Sequence, residues 1–401
     1  MSKKVLLLGG SQSKSIAITK AKEAGYFTVL CDYLPDNYGR NIADKFYLES
    51  TTDNDAILKV AKAEKVDGIV SYASDYGAPA AAYASEALNL PTNPYESVMI
   101  LREKDRFREF LQNNNFACPK AKGFSNKTYT DEIAQQIKDF NYPLMVKPTD
   151  SCGSNGVSKI TSESQLSCAY NEAMGFSLQK KVIIEEYIEN DYPFVVGGDV
   201  FLQHGEVVCW GLLNCHRDKN VNPLVPTGKS YPVQTSPRDT EKIKDELLRL
   251  FSLLKVTTGA FNVEVIVCNS TPYLIEVGPR NGGNEIPDFL SVLTDSDIIT
   301  ATIEAALGNE DFCVKQPPLN TYMSTYNIHS DKDGTYLETK IKDEYSSRVI
   351  RRDFFVESGS KVKKFDRAGE LIGIVFLRHD NIESMNDMMD NPHKWLEVVV
   401  K

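Results

Sequence analysis

Short apolar runs alternate with stretches of helical length through the first hundred residues of the chain. The runs are residues 5–8, 28–31 and 68–71, and enough residues for a helix separate each run from the next. This alternation is typical of parallel strands joined by helices, because parallel neighbours cannot be joined by a tight turn. The sequence therefore predicts an open, parallel α/β sheet at the N-terminus.

Length and charge exclude several classes of protein. A chain of 401 residues is long enough for two or three packed domains. The formal net charge of −10 argues against a nucleic-acid surface, which needs clustered Lys and Arg. No apolar run is long enough to cross a bilayer, and the eight cysteines include no C-x-x-C pair. We therefore expect a cytoplasmic protein that binds neither nucleic acid nor a membrane.

The segment 259–276 carries the strongest chemical signal. It consists of two apolar strands around a turn at residues 268–272, and a hairpin centred on Ser270 places Glu264 opposite Glu276. Like charges directly opposite on a sheet repel each other, and a divalent cation between them reverses that interaction. Ligands that are oxygen only favour Mg²⁺ or Mn²⁺. The alternative is a different register in which each glutamate faces solvent.

A second signal is a lysine that ends an apolar strand. Residues 144–148 form the strand, Lys147 lies near its end, and the Gly- and Ser-containing loop 151–157 follows. Such an arrangement can place one positive charge and several N–H donors on a polyphosphate. It is not a Walker A loop, because the lysine precedes the glycines. The alternative for Lys147 is a surface residue whose aliphatic stem packs on apolar neighbours.

Taken together, these segments resemble the ATP-grasp superfamily. The matching segments, in family order, are Lys104 with Phe107 and Pro119, residues 142–148, residues 153–157, residues 182–188, residues 259–264 and residues 275–280. They are similar to the first lysine helix, the second lysine strand, the mobile phosphate loop, the adenine-holding hinge and two metal-carboxylate strands with the following arginine. The resemblance implies an ATP-grasp fold, mixed α/β and α+β, behind an N-terminal open parallel α/β domain.

The resemblance also implies roles for individual residues. Arg280 and Lys147 are the expected catalytic residues, and Glu264 and Glu276 are the expected Mg²⁺ (or Mn²⁺) ligands. Gly278 stands where the family often has Asn, so water is expected in place of a third protein ligand. The residues expected to bind ATP are Lys104, Lys147, Ser151, Gly153, Ser154, Gly156, Glu185, Glu186, Ile188 and Asp191.

The same resemblance implies three domains and a substrate region. The expected domains are residues 1–110 (N-terminal sheet), 111–190 (a small lid with the phosphate loop) and 191–401 (metal site and C-terminal strands). The expected substrate residues are Gly10, Ser11, Ser74, Asp75 and Arg217. His216, Arg217 and Lys219 form a polar cluster that contacts phosphate or substrate, or else is a solvated loop. Cys152 has no activating neighbour in the sequence, so we interpret it as a spectator.

The implied function is an ATP-dependent ligase that forms C–N bonds. Such an enzyme activates a carboxylate as an acyl phosphate, passes it to an amine and releases ADP and phosphate. Its partners are a small-molecule carboxylate and an amine, and a homodimer remains open. The alternatives are a bicarbonate-activating enzyme, such as a carboxylase or a carbamoyl-phosphate synthase, and a non-catalytic ATP-binding module. Both glutamates and both lysines are present, which disfavours the module.

Overall fold

The computed structural model describes residues 2–218, 221–309 and 311–401. Its N-terminal part is a sheet flanked by helices, and its elements are β1 (Lys4–Leu8), α1 (Ser15–Glu23), β2 (Phe27–Asp32), β3 (Lys45–Leu48), α2 (Asn54–Glu64), β4 (Gly68–Val70) and α3 (Ala78–Ala87). The strands are parallel in the order β3-β2-β1-β4. The predicted parallel sheet is thereby confirmed.

Two consecutive helices connect this sheet to the rest of the chain. They are α4 (Tyr95–Arg102) and α5 (Lys104–Asn113). The sequence predicts one continuous helix over 96–114, but Glu103 is extended and the N–H of Lys104 donates to the Thr149 carbonyl at 3.0 Å. This tertiary hydrogen bond breaks the helix and places Lys104 at the start of the second one.

A small antiparallel sheet follows, with its own apolar core. Its elements are β5 (Ala121–Phe124), α6 (Asp131–Gln136), β6 (Leu144–Pro148), β7 (Ser158–Ile160), α7 (Leu166–Phe176) and β8 (Val182–Glu186). The strand order is β5-β8-β6-β7. Side chains of α6 and α7 pack on one face of the sheet around the buried Tyr170. We call this unit the lid.

The remainder is built on a larger antiparallel sheet. Its first elements are β9 (Val195–Gln203), β10 (Glu206–Arg217), β11 (Pro226–Tyr231), α8 (Pro237–Leu254), β12 (Gly259–Cys268), β13 (Thr271–Gly278), α9 (Ile286–Thr294) and α10 (Ile298–Ala306). The later ones are β14 (Tyr322–Ile328), β15 (Gly334–Ile341), β16 (Val349–Phe354), β17 (Lys361–Val362), β18 (Gly373–His379), α11 (Ile382–Asp390) and β19 (Leu396–Val400). The order in the large sheet is β13-β12-β9-β10-β11-β14-β18-β16, and β15, β17 and β19 form a separate sheet.

The many Pro, Asn and Lys residues of the segment 214–237 predict an irregular segment, and this prediction is wrong in part. Strand β10 continues to Arg217, and β11 joins it to β14 in the sheet. Pro, Asn and Lys in this segment conceal the strands, since pairing on both sides stabilises a sequence of low β-propensity. Lys219 lies outside the described residues.

Some helices pack against a part of the molecule other than the one to which they belong in the sequence. Leu101, Phe107 and Leu111, from α4 and α5, pack in the core of the large sheet against α8 and β12. Ile299 and Ile303 of α10 pack on the N-terminal sheet. The three-domain division stays a prediction, and these helices are what hold its parts together. Among the described residues, no helix is both long and apolar enough to cross a membrane.

Candidate functional site

A cavity of about 830 Å³, part of it open to solvent, lies between the lid and the large sheet. Most of the predicted ATP and metal residues line it. They are Lys104, Lys147, Ser151, Gly153, Ser154, Glu185, Glu186, Ile188, Glu264 and Glu276, together with Arg217 from the predicted substrate set. The other lining side chains include Met145, Val195, Leu224, Ile266 and Ile275. One apolar pocket with a few converging charged groups is typical of a nucleotide-sized ligand site.

The two glutamates face each other across the β12–β13 hairpin. Glu264 pairs directly with Glu276 in the register, as the sequence predicts. The turn is tighter than expected, with Cys268 opposite Thr271 and only Asn269 and Ser270 between them, both in the left-handed conformation. This geometry suits a two-residue hairpin turn.

A bulge lies between the turn and the glutamates. Glu264 pairs with Glu276 but Val265 pairs with Leu274, so Ile275 is an extra residue on its strand. The bulge shifts the strand pairing by one residue. Beyond the bulge, the residues pair as they would if the turn were centred on Ser270. It therefore brings both carboxylates to the same side of the sheet.

Basic side chains surround these carboxylates. Lys104 Nζ lies 3.6 Å from a Glu276 oxygen and donates to the Ser151 carbonyl at 2.8 Å. An Arg217 nitrogen lies 3.7 Å from Glu264. Both ion pairs are partly exposed, so each contributes little to folding. The cations are available to a polyanion that enters the cavity.

Lys147 is held by a buried carboxylate. Its ammonium group pairs with Glu185, and the other Glu185 oxygen accepts from Arg108 Nε at 2.9 Å. Burial alone would raise the pKa of Glu185, but the charges of Arg108 and Lys147 outweigh it and hold this pKa at about 2. Glu185 is therefore ionised and fixes the position of Lys147.

Arg108 is a site residue that sequence reasoning missed. Its guanidinium also donates to the carbonyls of Ile275 at 2.8 Å and Leu274 at 3.4 Å, so it joins the lid to β13. A signal was present, because Arg108 follows Lys104 by four residues and so shares its helix face. An arginine on the face that also carries the buried Leu111 indicates a buried partner.

The loop 151–157 approaches the cavity with its backbone. Gly153 and Ser154 are both in the left-handed conformation. The hydrogen bonds of the described residues include none donated by the backbone N–H groups of residues 151–154. The Gly, Ser and Asn content of the loop predicts donors without an internal partner, but the Ser154 hydroxyl donates to the Leu224 carbonyl at 2.9 Å. The free N–H groups suit an anion.

Gly156 has a structural role in this loop, whereas Cys152 lines the cavity. Gly156 is not among the cavity-lining residues; a Cβ there would lie 2.7 Å from the Phe176 ring, so glycine permits the loop to pack on α7. Burial raises the pKa of the Cys152 thiol, which keeps it protonated and supports its interpretation as a spectator.

Arg280 lies beside the cavity and faces the N-terminal sheet. It forms a two-pronged ion pair with Asp75, with nitrogen-to-oxygen distances of 2.8 and 2.6 Å. Burial alone would raise the pKa of Asp75, but Arg280 lowers it. The predicted catalytic and substrate residues thus contact each other although they come from different parts of the chain. Lys14, which the sequence analysis did not single out, lies nearby, and its burial lowers its pKa.

The remaining predicted residues do not line the cavity between the lid and the large sheet. The Gly10 N–H donates to Asp32 at 2.7 Å, Ser11 is exposed, and the Ser74 carbonyl accepts from Ser71 at 2.8 Å. These contacts build the carboxyl edge of the N-terminal sheet. A substrate role for Gly10, Ser11 and Ser74 stays a prediction.

Asp191 and His216 are also placed elsewhere. Asp191 accepts from the Ser270 N–H at 3.0 Å, at the hairpin turn rather than in the cavity. His216 is buried and bonds the Ser230 hydroxyl at 2.7 Å, and burial, with the nearby charge of Lys229, lowers its pKa to about 3. His216 is therefore neutral and structural, while its neighbour Arg217 reaches the cavity.

Comparisons with known proteins agree with this geometry. Residues 101–284 match the ATP-grasp domain. The carbamoyl phosphate synthase large chain of Clostridium acetobutylicum is 23% identical over 365 residues, which cover 88% of this chain and 31% of that protein. The chain thus spans about a third of the length of this relative.

Solved structures with the same fold include two ligases. The L-amino acid ligase from Bacillus licheniformis has a TM-score of 0.82 and 19% identity, covering 100% of this chain and 99% of that one. Phosphoribosylglycinamide synthetase from Anaerococcus prevotii has a TM-score of 0.76 and 20% identity, covering 100% of both chains. At this identity the likeness is one of fold, and it confirms the predicted fold class. The chain therefore contains an ATP-grasp domain, over residues 101–284.

Proposed function

We propose that this protein is an ATP-dependent ligase that activates a carboxylate as an acyl phosphate and passes it to an amine. The observation that carries this proposal is the convergence of two lysines and two opposed glutamates on one cavity between lid and sheet. The reaction needs such a set, because repulsion between negative charges limits phosphoryl transfer to a carboxylate. The ligases that share the fold support the same reaction class.

ATP would occupy the cavity with its phosphates toward the glutamates. Lys104 and Lys147 bind the phosphates in this proposal, together with the free N–H groups of the loop 151–154. The backbone of Glu186 and Ile188 reads adenine at the end of β8. The carboxylate of Glu185 is occupied by its ion pairs, so we assign it the positioning of Lys147.

The residues present fit a magnesium ion that is shared with the nucleotide. Glu264 and Glu276 are two opposed carboxylates, and the described residues include no cluster of three or more His, Cys, Asp or Glu side chains that could hold a metal. Mg²⁺ commonly takes one or two carboxylates and completes its coordination with waters and phosphate oxygens. When bound, it would supply charge neutralisation at the phosphates.

Two steps make up the reaction. A substrate carboxylate oxygen attacks the γ-phosphorus of ATP, and ADP leaves; the amine then attacks the acyl carbon, inorganic phosphate leaves and the amine loses a proton. Lys147 and Arg280 stabilise the negative charge that develops during these steps. Arg280 suits this role because it lies near Glu276 with only 11% of its side chain exposed, so its charge is weakly screened there.

The proposal is tested by the release of ADP and phosphate. With ATP and Mg²⁺ present, we expect release that depends on adding an amino acid or another small carboxylate with an amine, and a new C–N bond detectable by mass spectrometry. Bicarbonate is included as a separate arm. Release with bicarbonate and no other acid would replace the proposal with the bicarbonate-activating alternative, and ATP binding without any release would favour a binding module.

The loop 151–155 should become protected when nucleotide binds. The N–H groups of residues 151–154 lack protein acceptors in the described residues, so we expect fast amide hydrogen exchange there without ATP and slow exchange with ATP and Mg²⁺. Mass-spectrometric exchange on peptides that cover the loop measures this. The strand β11 serves as the internal control, because it is paired on both sides in either state. Unchanged exchange in the loop would mean that it does not close over the phosphates.

A further inference from the structure

A second cavity lies next to Arg280, at the carboxyl edge of the N-terminal sheet. It encloses about 530 Å³, including space open to solvent. Its walls are the segment after β4, the turn before α9, and single residues from the start of the chain and after β16. The lining residues are Ser13, Tyr72, Ala73, residues 282–285, Asp288 and Phe355. The catalytic residues assigned above do not line it, but Gly282 is only two positions from Arg280.

This cavity carries an excess of negative charge. Glu285 and Asp288 line it, and Asp353 lies behind them. The guanidinium of Arg351 forms ion pairs with all three carboxylates. Its nitrogens lie 3.9 Å from Glu285, 3.2 Å from Asp288 and 2.5 Å from Asp353. Three carboxyl groups around one base in a partly buried place are costly to ionise together unless a proton or a cation completes the set.

Unused hydrogen-bonding groups face the same space. Tyr72 is only 4% exposed, yet its hydroxyl forms no hydrogen bond to any described residue. The Glu285 Oε2 atom is buried and accepts no hydrogen bond from a described donor, although the Glu285 carboxyl group can share a proton with Asp353. Buried polar atoms are satisfied in most native structures, so unsatisfied ones at a cavity wall point to a missing ligand. Both groups can accept a hydrogen bond from an ammonium group.

Titration of Glu285 agrees with this interpretation. Burial, followed by the charges of Asp353 and Asp288, raises the pKa of Glu285 to about 8. Without a ligand, Glu285 is therefore largely protonated near neutral pH. A cation in the cavity would favour its ionised form and remove the like-charge repulsion.

We propose that this cavity binds the ammonium group of an amine-bearing small-molecule substrate, through Asp288, Glu285 and the Tyr72 hydroxyl. The proposal rests on the proposed ligase function, and it specifies the substrate class for that reaction. The cavity is next to Arg280 but outside the space lined by the phosphate lysines. A substrate held there would leave the space between the phosphate lysines free for nucleotide.

Matched probes that differ only in charge provide the test. Binding to the full chain is measured by titration calorimetry for a panel of L-amino acids, each beside the hydroxy acid of the same skeleton. We expect at least one amino acid to bind about tenfold or more tighter than its hydroxy counterpart, since the hydroxyl cannot replace a charge-assisted hydrogen bond. Equal binding within every pair, or no binding by any amino acid, would overturn the proposal.

Variants assign the binding to this cavity. Asp288→Asn should weaken the bound amino acid about tenfold or more, while the affinity for ATP changes less than about twofold. Tyr72→Phe keeps every charge and should weaken the amino acid severalfold, so it remains informative if Asp288→Asn destabilises α9. The matched control is Asp295→Asn, because Asp295 follows the same helix and is exposed with its own partner, Lys315.

The outcomes separate this proposal from the ligase proposal. Amino-acid binding that both cavity variants leave unchanged would place the ligand elsewhere and sink the cavity proposal alone. Binding that is lost in both variants supports the cavity, even if no amino acid stimulates ADP release. That second pattern would contradict the ligase function while leaving the cation site in place.

Discussion

Glu276→Gln should fold normally and lose nearly all turnover. The substitution keeps the size of the side chain but removes the charge that faces Glu264 across the hairpin. Folding without metal must already tolerate the repulsion between these carboxylates, so its removal costs little stability. Turnover should fall by about 100- to 1,000-fold or more, because charge neutralisation at the reacting phosphates is lost. ADP release at saturating ATP and Mg²⁺ measures the effect.

The control for this variant is another strand glutamate without a neighbouring carboxylate. Glu206 begins β10 and is exposed, so Glu206→Gln should retain turnover. Glu264→Gln should lose turnover as Glu276→Gln does, because both carboxylates are assigned to one cation. The concentration of Mg²⁺ needed for half-maximal rate should rise in both. Near wild-type turnover in Glu276→Gln would remove the claim that this hairpin is a catalytic metal site.

Arg108→Met should lower the free energy of unfolding by about 3–5 kcal/mol, the range typical when one member of a buried ion pair is removed. Arg108 is buried, and its loss leaves Glu185 with Lys147 alone and deprives two carbonyls of β13 of a donor. This is a large part of the stability of an ordinary protein. Urea denaturation, followed by fluorescence and by circular dichroism, measures the change.

Arg106→Met is the matched control, two residues earlier on the same helix. Arg106 is partly exposed and pairs with the exposed Glu96, so its removal should cost less than about 1 kcal/mol. The pH dependence gives a second readout. Stabilisation from the low pKa of Glu185 is complete above about 4.5 and is lost as the pH falls toward about 2. In Arg108→Met the folded-state pKa of Glu185 should rise, so this loss should be smaller and should end at higher pH. Equal stability of the two variants would contradict a buried ion-pair role for Arg108.

Local patterns predicted the parts of the site that are close in sequence. The Glu264–Glu276 pairing was correct because strand periodicity fixes which side chains share a face. The tight turn and the bulge were not predictable, because a hairpin sequence does not state where an extra residue is inserted. The tight turn and the bulge shift the register in opposite directions, so Glu264 still pairs with Glu276. The lid strand 182–186 and the parallel sheet were likewise predicted from apolar runs alone.

Contacts between distant segments could not be read from the sequence. Asp75 and Arg280 are 205 positions apart, and neither has a local pattern that names the other. Asp191 was placed near the nucleotide by its position after the hinge, whereas the structure gives it to the turn at Ser270. Strand β11 escaped notice because its stability comes from two neighbouring strands rather than from its own residues.

The position of Arg108 limits how the lid can move. Its guanidinium holds Glu185 at the end of β8 on one side and the carbonyls of β13 on the other, so these two points cannot separate without breaking a buried ion pair. We therefore expect the lid to pivot about this end, with its largest displacement at the loop 151–157. The proposed nucleotide would then enter from the loop side, while the part of the cavity near the end of β8 would keep its shape.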